Sequence, residues 1–125
     1  MTLLLDTHIV LWWLADNPKL SEPSRSYIAD NRSIVMVSAA TVWEIAIKSS
    51  IGKLEIDDHW IDALKADGFQ HLPISWNHAE RVRKLSPIHK DPFDRLLVAQ
   101  AIEEKLTIIT ADPVLPTYPV ETIVN

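Results

Sequence analysis

Four carboxylates, far apart in the chain, each stand where a strand or turn gives way to a helix. They are Asp6 in LLLDTH, Glu44 in SAATVWEIAIK, Asp94 in KDPFDRLLVAQA and Asp112 in LTIITADP. Like charges brought together raise each other's pKa values, so an acidic cluster is unfavourable to assemble. A bound divalent cation offsets that repulsion. Donors that are all oxygen suit a hard ion such as Mg²⁺ or Mn²⁺. Such an ion lowers the pKa of water and offsets charge on a phosphate, so the quartet points to phosphodiester chemistry.

Neighbouring side chains fit the same reading. Thr7, Ser38 and Thr110 stand close to the acids, where hydroxyls orient a carboxylate or a water. Each acid also has a plainer use. Asp6 can end a strand or cap the next helix. Glu44 follows Thr41 by three residues, a capping-box spacing. Asp91-Pro92-Phe93-Asp94 reads as an N-cap, a Pro at N1 and an acid facing the helix dipole. Asp112-Pro113 is an ordinary turn. Independent caps need not share one edge of a sheet, whereas the order of elements here puts all four acids on one edge.

Those elements follow from periodicity and breakers. Thr2–Leu5, Ser33–Val37 and Leu106–Thr110 are short apolar runs that predict strands, with weaker strands at Phe69–Leu72 and Val120–Val124. Helices are predicted over Thr7–Ala15, from Ser21 or Glu22 to about Asn31, over Ser38–Ser49 and Asp57–Ala66, from Ser75 to about Leu85, and from Pro92 or Phe93 to Lys105. Alternating strands and helices give an α/β domain whose parallel sheet is covered on both faces. In such sheets ligands bind beyond the carboxyl ends of the strands, where strand order reverses. Asp6 and Asp112 fall just past strand ends, and Glu44 and Asp94 fall in the first turns of adjacent helices.

Composition bounds the class. The chain has 125 residues, 47% hydrophobic and 23% charged, which predicts one domain over residues 1–125. No cysteine is present, so disulfides, thiolate zinc sites and a Cys nucleophile are excluded. That suits a cytoplasmic location. The apolar start carries Asp6 and lacks a basic leader, so it reads as strand and helix rather than signal peptide. No run approaches the length of a membrane span. The net charge of −5 counts against a nucleic-acid partner. Arg81, Arg83, Lys84, Lys90 and Arg95 nevertheless crowd one stretch and are candidate nucleic-acid contacts, or a solvated helix face. The five histidines show no zinc spacing, and His8 and His89, which flank the acidic edge, read as surface or packed side chains before substrate contacts. The five tryptophans are expected in core packing or a dimer interface. No G-x-S-x-G, P-loop or G-x-G-x-x-G occurs.

Three blocks of the chain, LLLDTHIVLWWL, VSAATVWEIAIKSSIGKL and DPFDRLLVAQAIEEKLTIITAD, resemble in order and spacing the signature blocks of the PIN-domain ribonucleases. Within them the chain resembles the VapC-type toxins of bacterial type II toxin–antitoxin systems. The resemblance covers nearly the whole chain. It implies a three-layer α/β/α sandwich with a mostly parallel central sheet. It also implies an endoribonuclease using Mg²⁺ or Mn²⁺, one or two ions, that leaves 5′-phosphate and 3′-hydroxyl ends. Asp6, Glu44, Asp94 and Asp112 take the positions of the family's acids. Asp91 is an extra carboxylate, either a cap or a participant, and Arg95 a substrate or structural partner. A cognate antitoxin and a homodimer are implied as well, with the Trp and Leu of the first helices suiting the dimer interface.

Other readings are a PIN nuclease of RNA maturation and an inactive antitoxin- or RNA-binding module, against which the intact quartet argues. A phosphoacceptor receiver domain needs paired acids after the first strand and a late Lys. Asp6 stands alone, and LTIITAD offers no Lys.

Overall fold

The structure, a computed structural model, describes all 125 residues. Five strands form one sheet: β1 (Thr2–Leu5), β2 (Ile34–Ser38), β3 (Gln70–Leu72), β4 (Thr107–Thr110) and β5 (Thr122–Val124). Between them lie α1 (Thr7–Leu14), α2 (Glu22–Ala29), α3 (Ala39–Ser50), α4 (Trp60–Ala66), α5 (Trp76–Val82) and α6 (Pro92–Glu104), with a 3-10 turn at Leu115–Thr117 before the last strand.

Strand order is β3-β2-β1-β4-β5. Every pairing is parallel, so the sheet is wholly rather than mostly parallel. Leu4 of β1 sits level with Met36 of β2 on one side and Ile108 of β4 on the other. Side chains alternate across a strand, so β1 feeds both faces of the sheet. Leu3 and Leu5 join Ile9, Val10, Val35, Val37 and Ile45 in one core. Leu4 joins Leu97, Val98, Ala101, Ile108 and Tyr118 in the other. Leu3, Leu4 and Leu5 are fully buried, which is why β1 reads as an unbroken apolar run.

This layering positions the site. From β1 the chain steps outward to β2 and β3, then returns across the opposite face through α5 and α6 to enter β4 on the other side of β1. Strand order therefore reverses between β1 and β4, and a crevice opens at their carboxyl ends.

Several element ends differ from expectation. The first-turn acid Asp57 lies outside α4, because its carboxylate accepts the His59 N–H in a tight turn at 2.7 Å. Helix α6 stops at Glu104, because Lys105 takes the left-handed conformation (φ 55°) that ends the helix and turns the chain into β4. On α1, Trp13 is used inside the fold: its Nε1 donates to Asp67 at 2.9 Å and its ring packs on Phe69. The exposed tryptophans are instead Trp43 of α3 and Trp76 of α5. No helix is long and apolar enough to cross a membrane.

Candidate metal centre

A cavity of about 340 Å³ lies at the carboxyl ends of β1 and β4, and Asp6, Glu44, Asp91, Asp94 and Asp112 all line it. Each reaches it from a different local device.

Asp6 follows β1 directly and is the N-cap of α1, where Oδ1 accepts the Ile9 N–H at 3.0 Å. Its Oδ2 accepts the Thr110 hydroxyl and the Ala111 N–H, the latter at 3.1 Å. The residue is only 3% exposed. Burial pushes the Asp6 carboxyl above its usual range, outweighing the bonds from Thr110, Ile9 and Ala111 that favour the charged form.

Glu44 stands on α3, buried, with Oε1 accepting the Thr7 hydroxyl at 2.7 Å and Oε2 paired with Lys48 Nζ at 2.7 Å. The Thr41–Glu44 capping box does not form. Ser38 caps α3 by accepting the Ala40 N–H at 3.0 Å, which places Thr41 inside the helix. Thr41 touches Thr7 Oγ1 at 3.4 Å instead.

Asp91 is the N-cap of α6, and its Oδ1 accepts the amides of Phe93 at 2.8 Å and Asp94 at 3.2 Å. Pro92 suits the first helical position, where no N–H is needed. Asp94 then points from the first turn into the cavity. Burial first, then the charges of Asp91, Asp6 and Glu44, push its carboxyl up to about 7, against an opposing pull from His89.

Asp112 lies two residues beyond β4. Its Oδ1 accepts the Val114 N–H at 2.9 Å and its Oδ2 meets His89 Nε2 at 2.7 Å. Burial alone would raise this carboxyl, but the Val114 amide and the His89 ring hold it below the usual range.

The supporting hydroxyls divide. Thr7 and Thr110 act on Glu44 and Asp6. Ser38 does not join them: its hydroxyl donates to Gln100 Oε1 at 2.5 Å as well as capping α3, so its bonds lie with the α6 side of the core. The basic stretch divides too. Arg81 pairs with Glu103 at 3.3 Å and Arg83 with Glu80, while Lys84 and Lys90 are exposed. Arg95 turns inward, donating to the carbonyls of Val82 and Ser86 at 3.0 Å each and of His89 at 3.3 Å. Its guanidinium is thus a clasp on the loop before α6. None of these five lines the acidic cavity.

Two contributors lay outside the expected set. Lys48 lines the cavity, and its signal was the i,i+4 spacing from Glu44 that pairs opposite charges on a helix. His89, expected as a surface or packed side chain, bridges Asp112 and Asp94 through Nε2, at 2.7 and 3.1 Å. No local spacing announces that contact.

Five carboxylates therefore line a small cavity together with Lys48 and the His8 imidazole, while the His89 ring reaches two of them from outside the lining. The donor set is oxygen-rich, and Asp94 is raised by burial and then by the neighbouring carboxylates. Both properties fit a hard divalent cation.

Comparison with known proteins agrees with this architecture. The chain is 29% identical over 115 residues to Ribonuclease VapC22 of Mycobacterium tuberculosis, covering 89% of this chain and 87% of that protein. Its fold is similar to VapBC2 from Rickettsia felis bound to a DNA fragment from their promoter, with TM-score 0.75 and 16% identity over 100% of this chain and 99% of that one. It is also similar to VapBC-1 from nontypeable Haemophilus influenzae, with TM-score 0.67 and 17% identity over 99% and 98% of the two chains. The PIN domain profile matches residues 3–120, nearly the whole length, and the chain belongs to the PIN domain family.

Proposed function

We propose that this protein is a metal-dependent endoribonuclease of the VapC toxin type, held in check by a cognate antitoxin. The observation that carries the reading is the convergence of Asp6, Glu44, Asp94 and Asp112 on one cavity at the sheet's switch point. The ribonuclease named among its relatives and the VapBC complexes that share its fold support the substrate class and the antitoxin.

Asp6, Glu44, Asp94 and Asp112 would hold the cation, Mg²⁺ or Mn²⁺. When bound, it supplies a more acidic water and offsets charge on the phosphate and leaving group. The chain's own groups do the rest. Thr7 and Thr110 aim Glu44 and Asp6. Asp94, pushed up to about 7 in the metal-free protein, would be held ionised by the cation it ligates. Lys48, half-exposed beside Glu44, offers a positive point to the RNA backbone.

The test is cleavage of a mixed RNA pool by purified, antitoxin-free protein with Mn²⁺ or Mg²⁺, with EDTA and Asp6→Asn as controls. Cleavage that disappears in both controls is expected. Cleavage persisting in either, or none by folded protein with either ion, would overturn the reading.

A further inference from the structure

We infer that His89 is a positioning residue that sets Asp112 beside Asp94: its Nε2 hydrogen goes to the Asp112 carboxylate, and the ring stands between the two acids. The inference rests on the metal-site reading above and names how two of its ligands are aimed.

The geometry decides what the ring does. His89 Nε2 lies 2.7 Å from Asp112 Oδ2 and 3.1 Å from Asp94 Oδ2. One donor atom from each of the three residues falls within a 4.8 Å group, an arrangement that by itself also suits an imidazole ligand to a cation. The other ring nitrogen separates the two roles. Nδ1 is 3.0 Å from the Asp91 amide, and an amide N–H can only donate. Nδ1 therefore keeps its lone pair, and the ring hydrogen belongs to Nε2. A nitrogen carrying hydrogen has no lone pair for a cation, so Nε2 donates to Asp112 Oδ2 and stands 3.1 Å from Asp94 Oδ2 without a hydrogen bond to it.

The ring is held from behind as well. The His89 N–H donates to the Tyr118 hydroxyl at 2.8 Å, and that hydroxyl donates to the Ser86 carbonyl at 3.1 Å. Arg95 reaches the His89 carbonyl at 3.3 Å. Tyr118 is buried in the core, so the loop is pinned to the body of the fold.

The two carboxylates need such a part. Asp94 rides on α6 and Asp112 on the turn after β4. The His89 ring is the group that touches both, and as like charges they repel. The Nε2–H holds Asp112 Oδ2 in place and the ring sets its distance from Asp94 Oδ2, leaving the two acids spaced before a cation arrives. Preorganisation of this kind usually changes metal affinity about 10–100-fold.

The experiment measures Mn²⁺ affinity by electron paramagnetic resonance for wild type, His89→Ala and His89→Gln. It adds ¹⁵N spectra of the histidine rings in wild type, metal-free and with Mg²⁺. The expected result is hydrogen on Nε2 in both states, Mn²⁺ binding weakened about tenfold or more in His89→Ala, and recovery in His89→Gln, whose amide can donate to Asp112 in place of the ring. Hydrogen on Nδ1, or an Nε2 that loses its hydrogen when metal binds, overturns the donor role without any variant. Unchanged or tighter binding in His89→Ala overturns it too, the latter marking the ring as an obstruction. Equal weakening in both variants also overturns it. Wild type that binds no Mn²⁺ overturns the metal-site reading and this inference together; wild type that binds while His89→Ala is unaffected overturns this inference alone.

Discussion

Thr110 donates its hydroxyl to Oδ2 of Asp6 although the two residues are 104 positions apart in the chain. The same Thr110 oxygen accepts the Asp112 N–H at 2.9 Å. One hydroxyl thereby ties the acid after β1 to the acid after β4. Thr110→Val keeps the shape and removes both bonds. It should destabilise the protein by about 1–3 kcal/mol, the range for a buried polar group left short of a partner. Mn²⁺ affinity should fall as well. Denaturant unfolding at pH 7 and Mn²⁺ titration check both. A variant as stable and as tight-binding as wild type would dismiss the link.

Asp94 sets a pH dependence whose sign is fixed. Its carboxyl is pushed up to about 7 from an ordinary 3.8, so the folded, metal-free protein binds a proton that the unfolded chain has released. This group's stabilising contribution is complete below pH 3.8 and is lost as pH rises through about 7. The buried Asp6 acts with the same sign. Asp112, held low, acts oppositely, its contribution being lost as pH falls through its depressed folded value. In EDTA, Asp94→Asn should be more stable than wild type at pH 8 by about 1–2 kcal/mol, a figure discounted for partial exposure. Its stability should also fall less steeply between pH 4 and 7. Denaturant midpoints across that range check this, and parallel profiles for the two proteins would refute it.

Cation binding should act against the Asp94 shift. Mn²⁺ at 100 times its Kd should stabilise wild type by about 2.7 kcal/mol. Affinity should rise from pH 6 to pH 8, because the acids must be ionised to bind. Thermal unfolding with and without Mn²⁺ at the two pH values reads this directly. A shift independent of pH would place the cation away from Asp94.

Lys48 and Arg95 should part company on mutation. Lys48 pairs with Glu44 at 2.7 Å but is half-exposed, so Lys48→Met should change stability by less than about 1 kcal/mol. It should weaken RNA binding and reduce the salt slope by about 0.7, the value for one contact to a single strand.

Arg95 holds the loop carbonyls, so Arg95→Ala should cost about 1.5–3 kcal/mol, the scale of losing a charged hydrogen-bonding group. Arg83→Ala, which loses only an exposed pair with Glu80, should be near neutral. Urea unfolding of both variants and salt titrations of RNA binding by the Lys48 variant separate these roles.

The sequence by itself determined the elements and the class of chemistry. Apolar runs at Thr2–Leu5 and Leu106–Thr110, a Pro at position 92 after Asp91, and acids near strand ends are local patterns, and local patterns encode where strands stop and helices begin. Asp6, Glu44, Asp94 and Asp112 were legible for that reason. The tertiary structure decided what each side chain touches. Strand order β3-β2-β1-β4-β5 brings residues 1 to 10 beside residues 107 to 112, and no short window of sequence contains that fact. Ser38 turned to Gln100, Arg95 folded back onto carbonyls, and His89 entered between Asp94 and Asp112. Hydrogen-bond partners depend on distances of a few tenths of an ångström between segments distant in the chain. Residue type and spacing carry no such distances; only the packed fold sets them.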